Sequence, residues 1–461
     1  MSAVQEYLQG LRGKRVAVIG IGVSNTPLIR MLLNAGVSVT ACDKRSREQF
    51  DGPAEELERL GAVLKLGEDY LEGLDHDVIF RTPGLRPDVP QLQKAREQGS
   101  EITSEMEVFF EVCPCRMIAV TGSDGKTTTT TLISEMLKTA GYTVHVGGNI
   151  GKPLLPEVED IKADDIAVLE LSSFQLLTMQ HSPNVAVVTN LAPNHLDMHK
   201  GMEEYIAAKE NIYLHQSSSD RLVLNADNEI TAGFVPKAKG EVALFSRAKV
   251  PERGVWLRED NVICARNAEG EREVMPAEDI LLPGIHNVEN YMTAIAAVDG
   301  LVSDEAVRQV ATTFGGVEHR IELVRVLDGV RYYNDSIGTS PSRTKSGLHS
   351  FNQKVILIAG GYDKKIPFDE LGCEIVGHVK HLILTGATAE KIRAAVEQAP
   401  EYKAGKPPIT MVDDFKDAVC FAREVAQEGD VVILSPACAA FDRFRNFMER
   451  GKFFKAIVNE F

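Results

Sequence analysis

The chain has 461 residues, 44% hydrophobic and 6% aromatic, a length that suits about three globular α/β domains of ordinary size. Its formal net charge of −16 and pI near 5.3 disfavour nonspecific nucleic-acid binding and anionic membrane surfaces, but not nucleotides, which a few cations and local dipoles hold. No apolar run approaches the ~20 residues of a membrane span, the start Met1-Ser-Ala-Val-Gln-Glu6 has no signal-peptide pattern, and the seven scattered cysteines read as reduced thiols of a cytoplasmic protein.

The first segment opens with Arg15-Val-Ala-Val-Ile-Gly-Ile-Gly-Val-Ser-Asn25, followed by a helical pattern and then Val37-Ser-Val-Thr-Ala-Cys-Asp43. That is one β-α-β unit. Gly20 and Gly22, with Asp43 further on, resemble a dinucleotide fingerprint in which the acidic residue grips a ribose. Asn25 stands where the third glycine belongs, which leaves a generic phosphate or nucleotide site. Two more short strands follow, Ala62–Leu66 and Asp77–Phe80, the second running into Arg81-Thr-Pro-Gly84. Cys113-Pro-Cys115 is too close-set for zinc, and the first domain ends near it.

The next strand, Met117–Val120, runs into Thr121-Gly-Ser-Asp-Gly-Lys-Thr-Thr128 and then a helical stretch through Leu137. Strand, glycine-rich turn and helix together point backbone N–H groups at a phosphate. The loop is Gly122, Ser123, Asp124 and Gly125, one form shorter than the usual P-loop, which would need glycine at Val120. Lys126 would reach the outer phosphates and the Thr127 hydroxyl would hold Mg²⁺. Two continuous apolar runs, Asp165–Leu171 and Asn184–Thr189, read as parallel strands buried on both faces. Glu170, at the carboxyl end of the first, is placed for a Mg²⁺ ligand; the alternative is a solvated carboxylate.

After the second run comes Thr189-Asn-Leu-Ala-Pro-Asn-His-Leu-Asp-Met-His199. His195 is a candidate second metal ligand. His195 and His199, with Asp197 between them, also have the spacing of a zinc pair, but on a proline-containing loop. Lys209 sits mid-way in the helix Tyr205–Tyr213, where a lysine is ordinarily exposed. Residues 230–282 are polar and irregular and read as a small β excursion. Leu282-Pro-Gly-Ile-His-Asn-Val-Glu-Asn290 then opens an alanine-rich helix.

From Glu318 onward strands alternate with helices: Val330–Tyr333, Lys354–Ala359, His381–Thr385, Thr410–Val412 and Val431–Leu434. This implies a doubly wound parallel sheet, with ligands at the carboxyl ends of its strands. Asp335, Gly360-Gly361 and Ser435–Ala440 fall there.

Taken together, these motifs resemble the Mur ligases of peptidoglycan synthesis from about residue 14 to the end. The carriers are Thr121–Thr128, Gly147–Gly151, Leu169–Gln175, Asn194–Asp197, Ala207–Lys209, His286–Asn290, Glu318–Arg320, Tyr333–Ser336 and Ser435–Cys438. The resemblance implies three α/β domains. Residues 1–115 form a Rossmann-like domain for a UDP substrate, 116–317 a P-loop ATPase-type domain with the β excursion, and 318–461 a doubly wound, Rossmann-like domain for an amino acid. The expected reaction joins D-glutamate to UDP-N-acetylmuramoyl-L-alanine through an acyl phosphate, with ATP and two Mg²⁺. The expected protein is a cytoplasmic monomer acting on small molecules, with no nucleic-acid or membrane partner.

The family pattern also implies residue roles. Lys126, Thr127 and Thr128 would hold ATP phosphates and one Mg²⁺, Glu170 and His195 the second. Lys209 would be carbamylated by CO₂ and become a metal ligand. Asn287 and Asn290 would bind adenine, Arg320 and Asp335 phosphate and ribose. Gly22, Ser24, Asn25, Asp43, Arg45, Thr82 and Gly84 would surround the uridine diphosphate, with Asn149 and Ser172 at the muramoyl group. His319, Thr339, Arg343, Lys364, Ala440, Phe441 and Phe447 would surround D-glutamate. The third domain would bring Arg320 and Asp335 to a nucleotide held by the second, so closure is expected. Ile337-Gly338 and Ala440 depart from the family's usual side chains, so backbone N–H groups or Arg343 must replace those contacts. Two rivals remain at this stage. A P-loop switch ATPase would hydrolyse ATP without a small-molecule acceptor. An oxidoreductase built on Gly20 to Asp43 would show nicotinamide absorbance and leave the P-loop unexplained.

Overall fold

The computed structural model describes residues 1–50, 52–193, 198–403 and 405–461. Strands β1 (Arg15–Ile19), β2 (Ser38–Asp43), β3 (Val63–Leu66), β4 (Val78–Phe80) and β5 (Glu101–Thr103) form an all-parallel sheet in the order β3-β2-β1-β4-β5. The strand order reverses between β1 and β4, and the Gly20–Asn25 loop leaves β1 at that switch point, where α/β sheets bind ligands.

The second sheet has nine strands in the order β14-β13-β12-β11-β10-β9-β6-β8-β7. They are β6 (Arg116–Thr121), β7 (Val144–Gly148), β8 (Ile166–Glu170), β9 (Val185–Val188), β10 (Arg221–Asn225), β11 (Glu241–Ser246), β12 (Gly254–Leu257), β13 (Val262–Asn267) and β14 (Gly270–Pro276). The expected β excursion is present as β11–β14, and it extends the main sheet. β11 pairs parallel with β10, β12 pairs parallel with β11, and β13 and β14 add antiparallel, so the polar stretch extends the main sheet. Its half-exposed alternation is that of antiparallel strands at a sheet's end, which hides their membership of a buried parallel sheet.

β15 (Glu322–Leu327), β16 (Val330–Asn334), β17 (Val355–Ala359), β18 (Val379–Leu384), β19 (Ile409–Met411) and β20 (Val431–Leu434) form the third sheet, ordered β15-β16-β20-β17-β18-β19. Its last five strands are parallel, as the alternation predicts, and β15 pairs antiparallel with β16 as an added edge strand.

The chain divides into two compact units, Met1–Ala277 with Glu289–Val310, and Glu278–Val288 with Ala311–Phe461. The first unit holds two sheets because one apolar core runs through both: Val16, Phe80 and Phe109 belong to the same cluster as Leu154, Leu169 and Tyr205. Polar links, buried or partly buried, reinforce it. Glu105 accepts from the Leu155 N–H at 2.9 Å, Arg81 donates to the Thr178 hydroxyl at 3.2 Å, and Arg86 meets Glu204 at 2.8 Å. No described helix is long and apolar enough to cross a membrane.

Candidate active site

The glycine turn after β6 is shaped by two backbone conformations that a side chain resists. Gly122 has φ +146° and Gly125 φ +78°. A Cβ on Gly122 would overlap the Thr189 hydroxyl, and one on Gly125 the Asn290 amide oxygen, so neighbours pack directly on the loop backbone. The turn feeds the helix Lys126–Thr139. Its first N–H groups and the positive end of its dipole therefore face the same point, which suits an anion. Ser123 is buried, bonded to the Tyr205 hydroxyl and the Ala192 carbonyl at 3.0 Å each, whereas Asp124 is exposed. Lys126 curls over the loop and donates to the Gly122 and Ser123 carbonyls at 2.9 Å each. Thr128 is buried in the first helical turn.

Glu170 ends β8 beside this loop. It is only 2% exposed, not the solvated carboxylate of the alternative reading. One oxygen accepts from the Thr127 hydroxyl and the other from the Asn149 amide, both at 2.7 Å. Both partners are neutral donors, and the carboxylate oxygens lie next to a phosphate-type loop. Hydroxyl and carboxylate oxygens are the donors that Mg²⁺ takes, and the residues present fit that ion. Ser172 caps the short helix Ser173–Leu176, exchanging hydrogen bonds with Gln175.

Lys209 is 1% exposed, against the ordinary expectation for a mid-helix lysine. Its amine donates to the Gly122 carbonyl at 2.8 Å and the Thr121 hydroxyl at 3.0 Å, 5.0 Å from the Tyr205 ring. Burial, and then the neighbouring Lys126, push its pKa well below the ordinary lysine value, with Glu170 and Asp124 opposing. His195 lies outside the described residues, as does Asp197. His199 turns into the core. Its Nε2 is 2.9 Å from the Ser173 hydroxyl, Nδ1 is 3.3 Å from Glu204, and the ring stacks on Phe174 at 5.0 Å. These bonds and contacts commit the His199 imidazole to packing rather than to a zinc pair.

Asn290 and Asn287 are both buried, three residues apart in the helix Ile285–Val298. Asn290 accepts from the Thr129 hydroxyl at 3.3 Å, and Asn287 donates to the Pro283 carbonyl at 2.7 Å.

At the first sheet's switch point Asp43 is an internal anchor. Its carboxylate accepts from the Ile21 N–H at 2.8 Å and from the Arg45 N–H and guanidinium at 2.9–3.0 Å. Burial works against the Asp43 charge, yet Arg45 and the two N–H groups outweigh it and hold the carboxyl below its ordinary range. Arg45 also lies 4.1 Å over the Phe50 ring. Asn25, in place of the fingerprint's third glycine, is buried and donates to the Ile19 carbonyl at 2.9 Å. Gly22, Ser24 and Gly84 are exposed, and half-buried Thr82 packs against Gly20.

In the second unit the loop after β16 collects the remaining predicted residues. Asp335 is 4% exposed and accepts from the Ser435 hydroxyl at 2.7 Å. Burial raises its carboxyl to about 7. His319 is also buried, at φ +66°. Its Nδ1 is 2.9 Å from the Asn334 amide and its ring meets Phe447 edge-on at 6.0 Å. Burial lowers its pKa. Arg320 is half-buried. Arg343 and Lys364 are exposed cations that converge on the loop carbonyls of Ile337 at 3.4 Å and Thr339 at 3.3 Å. Ala440 is buried, and Phe441 is 62% exposed with its ring 5.8 Å from Tyr362.

Sequence comparison accounts for all three sheets. Residues 14–104 match the Mur ligase MurD-like N-terminal domain, 120–298 the Mur ligase middle domain, and 319–438 the Mur ligase glutamate ligase domain. A protein of Acetivibrio thermocellus named UDP-N-acetylmuramoylalanine--D-glutamate ligase is 54% identical over 99% of this chain and 98% of its own length. One of the same name from Clostridium novyi is 51% identical over 98% of each. The chain belongs to the Mur ligase family. Solved Mur ligases share the fold at low identity. The UDP-N-acetylmuramate-alanine ligase of Thermotoga maritima aligns with TM-score 0.56 at 19% identity, covering 97% of this chain and 99% of that one. A UDP-N-acetylmuramoyl-L-alanyl-D-glutamate--2,6-diaminopimelate ligase gives 0.58, also at 19% identity, covering 97% and 92%.

One residue of this Mur ligase escapes motif reading. Arg450, in the helix Phe447–Glu460, is 2% exposed. Its guanidinium donates to the Ser336 hydroxyl and carbonyl at 3.0 and 2.9 Å, and to the Cys438 and Ala439 carbonyls at 3.0 and 3.2 Å. It ties the loop after β16 to the loop after β20, and burial lowers its pKa to about 10. An arginine among Glu449, Lys452 and Lys455 reads as helix surface. The one local signal is Gly451, where a Cβ would overlap the His319 ring.

Proposed function

We propose that the chain is an ATP-dependent ligase that joins D-glutamate to UDP-N-acetylmuramoyl-L-alanine in peptidoglycan precursor synthesis. The observation that carries the reading is the pairing of half-buried Thr127 with buried Glu170 beside a glycine turn at a helix N-terminus, 2.7 Å from hydroxyl to carboxylate. The shared name of the full-length relatives supports the substrates. A carboxylate resists amines. Transfer of the γ-phosphoryl group of ATP to the substrate carboxylate makes an acyl phosphate and releases ADP. The amine of D-glutamate then adds to the carbonyl, loses a proton, and the tetrahedral adduct expels phosphate to leave the amide.

In this reading residues 1–115 take the UDP portion, 116–317 the ATP and 318–461 the amino acid. The turn N–H groups and Lys126 bind phosphate and stabilise charge on the transferring group. Thr127 would hold one Mg²⁺, and Glu170 and His195 a second; the ions would supply positive charge to the phosphate oxygens. Lys209 supplies a buried amine whose depressed pKa favours the neutral form, the form that adds to CO₂. The new N–C bond and loss of one proton would turn it into an anionic carbamate able to serve as a metal ligand. Asn287 and Asn290 serve adenine, Arg320 and Asp335 phosphate and ribose, and Asn149 and Ser172 the muramoyl group. Asp43 and Asn25 act on the uridine diphosphate by shaping the loop, because their polar atoms already hold Ile21, Arg45 and Ile19. Arg343 and Lys364 are the exposed cations for an acidic amino acid, beside Thr339, His319, Ala440, Phe441 and Phe447. The acidic chain suits a cytoplasmic monomer that binds small molecules and neither nucleic acid nor membrane.

Phosphate release measured across UDP-muramoyl precursors and amino acids tests the reading. Turnover is expected with UDP-N-acetylmuramoyl-L-alanine and D-glutamate and little with L-glutamate. Comparable kcat/KM for a neutral or basic amino acid would overturn the substrate assignment.

A further inference from the structure

Outside the ligase site, the second unit carries a compact His-Glu-His group. His349 follows the helix Pro341–Leu348, while Glu374 and His378 lie one turn apart on the helix Asp369–His378. One ligand atom from each of the three falls within 4.8 Å of the others. His349 Nε2 is 2.6 Å from a Glu374 oxygen, and His378 Nδ1 is 3.5 Å from the same oxygen. The two imidazoles face each other at 4.5 Å between centroids, tilted by 30°. Glu374 is mostly covered, and His378 Nδ1 also lies 3.0 Å from the Glu374 carbonyl, which fixes its ring.

We propose that His349, Glu374 and His378 form a binding site for a transition-metal dication of the Zn²⁺ class. Two imidazoles and one carboxylate suit Zn²⁺, Co²⁺ or Ni²⁺ and are poor ligands for Mg²⁺, so the site is chemically distinct from the Mg²⁺ positions of the ligase. Three ligands leave coordination positions for water. The i, i+4 spacing of Glu374 and His378 preorganises two ligands on one helix face, and His349 closes the group from a second element. Lys345 is the built-in competitor, with its amine 2.8 Å from the other Glu374 oxygen. A metal at this point would join the ends of two helices, the first of which carries Arg343 in its opening turn.

The test is titration of the untagged full-length protein with Zn²⁺ in excess Mg²⁺, followed by calorimetry. One saturable event is expected, weakened at least about tenfold by His349→Ala and by His378→Ala. Lys345→Met is expected to tighten it, and Cys373→Ser, an exposed neighbour on the same helix, to leave it unchanged. Because the triad is largely at the surface, the variants should keep wild-type circular dichroism and ligase turnover. No saturable event in the wild type, equal binding by the double histidine variant, or loss of binding in Cys373→Ser would overturn the proposal.

Discussion

The glycine turn of the second sheet and the loop after β16 in the third are built on opposite plans. In the first, the functional groups face one point: N–H groups of a helix start, Lys126, Thr127 and Glu170, with buried Lys209 behind them. In the second, the buried polar residues Asp335, His319 and Arg450 are spent on holding backbone, and the exposed cations Arg343 and Lys364 rest on loop carbonyls. A site for phosphoryl transfer needs preorganised charge. The amino-acid site proposed for the second region would instead be a shaped backbone with exposed cations at its rim. Substitutions should therefore cost activity in the first region and stability in the second.

The largest effects fall on the turn. Lys126→Ala should lower kcat by about 10²–10³ with the fold intact by circular dichroism, as for loss of a group aimed at transition-state charge. Lys209→Ala should fall as far and, if the proposed carbamate forms, regain part of its activity with added short carboxylic acids that take its place. Near wild-type turnover in either variant breaks the contrast.

Arg450→Met should act the other way. It strands the Ser336 and Cys438 carbonyls that the guanidinium now bonds, while the Ala439 carbonyl keeps the Tyr362 N–H, and unmet buried acceptors cost about 1–3 kcal/mol each. Urea unfolding should show the second unit destabilised by at least about 2 kcal/mol. An unchanged midpoint would mean that Arg450 does not organise the loop.

The effect of Glu105 is confined to a pH window in the first unit. Burial raises Glu105 to about 7 from an ordinary value of 4.5, against the Leu155 and Leu154 N–H groups. The folded state then keeps a proton that the unfolded state has lost. That contribution is fully present below about pH 4.5 and is lost as pH rises through about 7, up to about 3 kcal/mol in all. Glu105→Gln should flatten this slope in unfolding experiments between those limits, and an unaltered slope would reject a raised Glu105.

How far each region could be read beforehand follows the same division. The strand–turn–helix shape was legible because its glycines sit at fixed offsets between an apolar strand and a helical stretch. The parallel strands β8 and β9 were legible as unbroken apolar runs. Lys209 was visible only through family resemblance, since its burial depends on β6 and the Gly122 carbonyl, which lie 87 residues away. Asp43 drew notice as a ribose ligand, but the hydrogen bond it makes to Ile21 is tertiary and invisible to spacing. Strands β13 and β14 were harder to read as part of the main sheet because partly exposed antiparallel strands lack the apolar continuity that marks buried parallel ones. Arg450 was missed because a buried arginine whose partners are carbonyls of distant loops leaves no sequence pattern.

The central claim is that the site around Lys126, Glu170 and Lys209 activates a carboxylate by phosphorylation. The most direct measurement uses UDP-N-acetylmuramoyl-L-alanine labelled with ¹⁸O in its carboxylate, turned over with ATP and D-glutamate. An acyl phosphate keeps one carboxylate oxygen on phosphorus, so each released phosphate should carry a single ¹⁸O by mass spectrometry. Phosphate free of ¹⁸O during amide formation would contradict the mechanism.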